Sequence, residues 1–511
     1  MSQEVLPVGW VAAKLGDVAL WSSGGTPSRA NPNFYTGTIP WFKTGELGVP
    51  TLHKSEEYIS ESAISSSSAK VFPRGSVALA MYGATIGKAS ILGIDAATNQ
   101  ACAVGVPDAV SSEFLYFFLI SQSRAFADAG KGGAQPNISQ GIVKEWSMRL
   151  PPKPEQTRIV AKLEELLSDL DAGVAELKAA QRKLTLYRQS LLKAAVEGAL
   201  TADWRARNPP TETGAQLLER ILEQRRARWE ARQIARFDEQ GKVPPKGWRD
   251  KYPEPASPDS EGLPALPVLP NGWIWASVEQ LGAVQLGRQR SPDKLKGEFP
   301  VQYIRAANIT EAGIDLDDVL AMDFSKTEQK TFALKQGDVL LTEASGSPEH
   351  VGRPAIWQNA NGLYCFQNTV LRFTPTVISS EFAFYVFLAM QKLGVFRKLS
   401  GGVGINHLSA GKFAKLPVAL PPSAEQSAFV DAIASQLSLS ADQMAAIEQS
   451  LKQSAAQRKN ILRAAFSGQL VPQDPADEPA SVLLARIRAE RAAQAGKTTS
   501  TRGGRKAAQT V

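Results

Sequence analysis

Histidine and cysteine are almost missing from this chain of 511 residues, which has three of the first and two of the second. Cys102 and Cys365 lie in separate halves, so no disulfide framework is expected, and the usage fits a reducing cytoplasm. His53, His350 and His407 are too scattered for a catalytic triad or, with the cysteines, for a zinc site. No stretch reaches the roughly 18 apolar residues of a membrane span, and Met1–Glu4 has neither the basic start nor the apolar run of a secretion signal. The expectation is a cytoplasmic chain with no membrane partner. Loops that bind nucleotides are also missing. Gly83-Ala84-Thr85-Ile86-Gly87-Lys88-Ala89 has three residues between its glycines where a phosphate loop has four, and Ala89 where a magnesium-binding hydroxyl belongs. Asn208-Pro209-Pro210-Thr211 lacks the aromatic that would stack on a flipped base. Gly313–Asp318 has carboxylates without calcium-loop spacing. No catalytic residue, bound metal or bound cofactor is therefore assigned, and the chain reads as a non-enzyme.

What the sequence does have is a repeat. Leu150-Pro151-Pro152 with Glu155-Gln156 returns as Leu420-Pro421-Pro422 with Glu425-Gln426, and the segments 150–200 and 420–470 align without a gap at 15 identities in 51 positions. A single insertion would turn the rest of a helix by about 100°. A gapless repeat thus predicts two helices of equal length with matching faces. Val160, Leu163, Leu167, Leu170, Val174, Leu177, Gln181, Leu184, Arg188, Leu191 and Ala195 step by threes and fours, as do Val430, Ile433, Leu437, Ser440, Met444, Ile447, Leu451, Ser454, Arg458, Ile461 and Ala465. These are heptad seams, and the two helices are expected to pair. Gly173, in mid-helix, suggests close packing, and Glu155 and Glu425 suit the dipole of a first turn.

Before each helix stands a mixed domain opened by Leu6-Pro7-Val8-Gly9-Trp10 or Leu269-Pro270-Asn271-Gly272-Trp273. Ser76–Met81 and Asp338–Leu341 read as strands after turn glycines, and short aromatic helices start at Glu113 and Glu381. Glycine pairs follow at Gly132-Gly133 and Gly401-Gly402. The division is 1–150, first domain; 151–200, first long helix; 201–268, an Arg-rich helix over 215–237 and a proline-rich linker (eight prolines from Pro244 to Pro270); 269–419, second domain; 420–470, second long helix; 471–511, a helical extension whose basic tail after Gly496 reads as structureless. Leu217–Ile221 is echoed by Leu483–Ile487. The fold class is α+β: two globular mixed α/β domains, a pseudo-twofold internal repeat, and two long helices in an antiparallel coiled coil. A net charge of +7 fits a polyanion partner without identifying one.

The domain order and the repeated Leu-Pro-Pro-x-x-Glu-Gln helix resemble the specificity subunit of type I restriction–modification enzymes. The first domain adds Gly24-Gly25-Thr26-Pro27-Ser28, Ile39–Leu47, Tyr82–Lys88, Asn99-Gln100 and Asn137-Ile138-Ser139. The second departs from them, with Tyr303–Ile309 and Glu343-Ala344-Ser345-Gly346 in their place. The resemblance implies that each domain is a target recognition domain reading half of a split double-stranded DNA site, and that the helices space the halves. It also implies that two methyltransferase (modification) subunits and two restriction (motor–nuclease) subunits join the chain, with S-adenosylmethionine, ATP and Mg2+ used by those partners. Base edges are read by Arg, Lys, Asn and Gln, and phosphates by basic and hydroxyl groups. The DNA-binding candidates are Thr26, Ser28, Arg29, Lys43, Thr44, Tyr82, Lys88 and Lys131, then Arg288, Gln289, Arg290, Arg305, Asn308, Glu343, Ser345 and His407. Trp41, Tyr82 and Tyr303 could equally be core aromatics. Helix pairing or partner docking falls to Glu155, Gln156, Val160, Leu163, Leu167, Leu170, Glu425, Gln426, Val430, Ile433 and Leu437. A specificity element of a type II methyltransferase–nuclease, or a coiled-coil adaptor without DNA binding, are the competing readings.

Overall fold

The structure, a computed structural model, describes residues 6–130, 136–289, 298–359, 361–400 and 406–506, with side chains to residue 493. Lys131, Arg290 and both glycine pairs lie outside the described residues. Two compact units emerge, one of residues 1–178 with 448–511 and one of 179–447. The long helices, Lys153–Val196 and Ser423–Phe466, each contribute one half to each unit.

In the first unit, strand Val11–Lys14 pairs antiparallel with Ser147–Leu150, with Val11 opposite Leu150. This tie closes the domain where the chain enters and leaves it, and Pro151 then stops the strand. Inside are a five-stranded sheet and a four-stranded sheet. The first runs in the order Ala19–Ser23, Cys102–Pro107, Val77–Ala80, Ala89–Leu92, Thr51–Leu52, and the second Tyr58–Ile59, Ile39–Phe42, Ala96–Thr98, Val71–Phe72. Ser111 caps helix Ser112–Ser121 by accepting from the Phe114 amide. That helix sets Phe114 and Phe118 edge-on against Phe466, with ring centroids 5.5 and 5.3 Å apart. Ile159, Leu163 and Leu167 share one core with Leu462, Ala465 and Phe466. Asp171 pairs with Arg458 while the earlier Ile159–Leu167 pack with the later Leu462–Phe466, so the two helices run antiparallel here, and Arg158 pairs at 2.7 Å with Asp477 beyond the second helix.

The second unit repeats the plan. Ile274–Ser277 pairs with Pro417–Leu420. A four-stranded sheet orders Gly282–Leu286, Val370–Pro375, Val339–Thr342 and Pro354–Ile356, beside a three-stranded sheet of Leu320–Asp323, Pro300–Ile304 and Tyr364–Phe366. Ser379 caps helix Ser380–Lys392, whose Phe382 meets Phe429 at 5.1 Å. Leu192 and Ala195 join Phe429 and Ile433 in the core, and Tyr187 reaches Gln436 at 2.9 Å. Every seam position of both helices is buried or half-buried, as the heptad spacing requires.

The Arg-rich helix spans Gly214–Glu239, two residues longer than expected at its C-terminal end. Its first amide donates to Gly272 at 2.7 Å, just as Ala480, opening helix Ala480–Lys506, donates to Gly9 at 2.9 Å in the other unit. The sequence echo is therefore structural: Leu217 and Ile221 enter one core, Leu484 and Ile487 the other. Two expectations change. Helix Ala480–Lys506 runs on past Gly496 into the basic segment expected to be structureless. Gly173 is not a close-packing site, since a Cβ there would meet nothing within 4 Å. Among the described residues, no helix is long and apolar enough to cross a membrane.

Candidate nucleic-acid interface

Each domain is clasped to the long helices by a tryptophan and a buried carboxylate. Trp10 Nε1 donates to Glu155 at 2.9 Å, and Trp273 Nε1 donates to Glu425 at 2.9 Å. Both carboxylates are fully buried. Glu155 receives a second bond from Gln473 at 3.3 Å, and burial raises its pKa against these two bonds. Glu425 receives Thr201 at 2.6 Å and Arg205 at 2.7 Å. Both carboxylates sit in the first turn of their helix, as the dipole reading expects, and each also accepts an indole N–H from its own domain. Gln156 and Gln426 are also buried. All four are internal, so they cannot offer a docking surface. Leu163, Leu167 and Ile433 are buried and Val160, Leu170, Val430 and Leu437 half-buried, as seam residues should be.

Above each clasp the loops converge into a rim, and both rims are tied by the same four backbone hydrogen bonds. In the first domain these are Gly24 N to Cys102 O, Asn99 N to Phe42 O, Met81 N to Ala101 O and Ile138 N to Met81 O, all 2.9–3.1 Å. In the second they are Gly287 N to Val370 O, Gln367 N to Ile304 O, Glu343 N to Thr369 O and Leu408 N to Glu343 O, all 2.8–3.1 Å. Equivalent positions carry unlike side chains: Thr26 stands against Gln289, Lys43 against Arg305, Gln100 against Asn368, Met81 against Glu343.

The first rim brings together Thr26, Ser28, Arg29, Lys43, Thr44 and Tyr82. Thr26 is exposed and bonded to Gln100; Ser28, Tyr82 and Lys88 are exposed, and Thr44 is half-buried. Arg29 and Lys43 converge on Glu57, at 2.7 and 2.8 Å. The Lys43 ammonium holds the Glu57 carboxyl below its usual range, against burial and with help from Arg29. Arg29 also lies 4.1 Å over the Tyr35 ring, and Tyr35 and Trp41 clamp the glycine loop through Pro27 O and Gly25 O. Trp41 and Tyr303 are core aromatics, 2% and 1% exposed. Lys88, at the hairpin between Val77–Ala80 and Ala89–Leu92, has no ionic partner among the described residues.

In the second rim, strand pairing sets Ala344 opposite His407 and Ser345 opposite Asn406. His407 Nδ1 is 3.2 Å from both Glu343 oxygens, so these three candidates do meet. Gln289 is exposed. Two candidates are corrected. Arg288, 7% exposed, is held by Glu328 at 2.8 Å and Asp323 O at 2.6 Å over the Phe324 ring. Asn308, 2% exposed, donates to Asp315 O and Asp318 O and caps the Arg305 amide. Both are internal braces, because a buried polar group keeps its place by satisfying its bonds inside the fold. Arg305 is half-buried and paired with Asp318. Gln100 and Asn137, which belong to the signatures of the first domain, and Asn368 and Asn406 are not among the DNA-binding candidates, and the bond pattern of the rims adds them.

One repeated scaffold thus carries two chemically different rims. A family model for the type I restriction modification DNA specificity domain matches residues 7–179 and again 275–453, and the chain belongs to that family. It is similar to the type I restriction enzyme EcoDI specificity subunit of Escherichia coli, 25% identical over 98% of this chain and 99% of that one. The EcoKI specificity subunit of Escherichia coli strain K12 is 24% identical over the same shares. A chain solved in work on assembly and conformational transition of the type I R-M system shares the fold with a TM-score of 0.63, at 16% identity, over 91% of this chain and 100% of that one. The HsdS subunit from Thermoanaerobacter tengcongensis does so at 0.51, with 17% identity, over 92% and 99%.

Proposed function

We propose that the chain reads a bipartite, asymmetric double-stranded DNA site, one half through each rim, as the specificity subunit of a type I restriction–modification complex. The observation that carries this is the pair of rims built on identical backbone bonds with different side chains. Equivalent scaffolds would approach DNA alike, and unlike side chains would select unlike bases in the major groove. The paired helices fix the spacing of the halves. The repeated faces recruit two methyltransferase subunits, which two restriction subunits join. The chain is non-catalytic in this reading. S-adenosylmethionine, ATP and Mg2+ act in the partners, where adenine is methylated or DNA is translocated and cut.

The test is a modified-base map from cells that express the chain with its methyltransferase partner. Exchanging residues 269–418 for the equivalent segment of a relative should change one half-site and leave the other. A map in which both halves change, or none, contradicts the assignment. Purified chain that methylates or cuts DNA alone would contradict the division of labour.

A further inference from the structure

We propose that the Arg-rich helix Gly214–Glu239 is a second DNA contact, which holds the phosphodiester backbone outside the two recognition rims. The inference rests on the DNA-reading function above and adds a surface to it. Arg225, Arg228, Arg232 and Arg236 are spaced by three and four residues, so all lie on one face within about 80°. None of the four has a carboxylate partner among the described residues. Their neighbours do: Arg220 pairs with Glu212 at 2.8 Å, Arg226 with Glu230 at 3.3 Å, and Arg249 with Glu230 at 3.1 Å. The sequence thus pairs its structural arginines and leaves this stripe unneutralised.

The stripe borders a cavity of about 420 Å3 lined by Arg225, Arg228, Trp229, Arg232 and Tyr252. Arg225 Nε and Tyr252 Oη are buried there with no hydrogen-bond partner. Two orphaned polar atoms beside unpaired guanidinium groups suit an oxyanion that both can bond, and a phosphate oxygen is one. Trp229 stacks on Trp248 at 5.8 Å and meets Tyr252 at 5.5 Å, which makes one wall rigid. Arg225 to Arg236 spans about 16 Å of helix. A free nucleotide would occupy one end of such a stripe, whereas a DNA strand offers a phosphate charge every ~3.4 Å along its axis. The length favours the linear polyanion.

The surface is separate from the rim. Ala283 and Thr374–Thr376 line the cavity, at the end of the strand pair opposite Gly287–Gln289. Five residues of strand put it roughly 15 Å away. It would therefore add affinity without reading bases.

The experiment uses the full chain in complex with its methyltransferase, binding cognate and non-cognate duplexes between 50 and 200 mM salt. Replacing the four arginines by Gln should flatten the dependence of log affinity on log salt by about 3 to 4, at ~0.9 per lost phosphate contact, equally on both duplexes. The methylated bases should stay the same, and Arg→Lys at the four positions should restore the slope. Melting temperatures check that every variant folds. An unchanged slope overturns the proposal. So does weakened methyltransferase binding with an unchanged slope, which would make the stripe a protein surface, or loss of ATP binding alone, which would make it a nucleotide site. If the unaltered complex shows no sequence selectivity, the rim reading fails instead, whatever the slopes do.

Discussion

Glu155 and Glu425 occupy equivalent places in the repeat and accept equivalent indole bonds, yet their surroundings give them different chemistry. Glu155 accepts hydrogen bonds from neutral donors only, and burial raises its pKa against them. The favourable contribution is fully present below the ordinary carboxylate range, near ~4.3, and is lost as pH rises through the higher folded value. Glu155→Gln keeps an acceptor for Trp10 and removes the buried charge. Relative to the unaltered chain, it should therefore gain stability from pH 4.5 to pH 8, read as the difference in melting temperature. Glu425 faces Arg205, 18% exposed, and Glu425→Gln should destabilise by roughly 2 kcal/mol at neutral pH, less than a fully buried pair would lose. Equal responses at both sites would refute the contrast. Arg288 and Gln289 make a second residue-scale pair. Arg288→Ala should lower the unfolding midpoint, by about 2–4 kcal/mol for a buried paired charge. Gln289→Ala should leave stability within ~0.5 kcal/mol and relax the base preference of one half-site.

Among the elements, the long helices were the most legible in the sequence and the rims the least. A seam every 3.5 residues writes itself in side chains, so the positions from Val160 to Ala195 and from Val430 to Ala465 could be read directly. Turn glycines were similarly plain: Gly198 and Gly468, just past each helix, take φ of +77° and +78°. Rim residues depend on partners distant in sequence. Glu328 decides the fate of Arg288, Asp315 and Asp318 that of Asn308, and Glu57 that of Arg29 and Lys43. The four rim bonds use backbone atoms alone, which leave no side-chain signature. Gly173 shows the limit of reading even a helix, since its open surroundings are not written in the repeat. Gly173→Ala fills empty space in mid-helix and should stabilise the chain by about 0.5–1 kcal/mol, measured by denaturant midpoint at unchanged slope. A loss of stability would mean that the site is covered in the assembled protein.

For the whole molecule, the proposed spacing role makes a demand on both length and angle. A heptad inserted into each helix at facing points near Gln181 preserves the seam and adds about 10.5 Å, the length of ~3 base pairs. Three base pairs turn the DNA by roughly 100°, whereas seven residues fall only ~20° short of two helical turns. Distance and orientation then disagree, and a one-heptad insertion should lose most of its binding. Three heptads add about 31 Å and fall ~60° short of whole turns; nine base pairs span nearly the same length and fall ~50° short of one DNA turn. The three-heptad chain should therefore recover, with both half-sites unchanged and the spacer longer by about nine base pairs in the modified-base map. Recovery with one heptad and failure with three would show that the helices space the halves without orienting them. An unaltered spacer in the three-heptad chain would remove the helices from the measurement altogether.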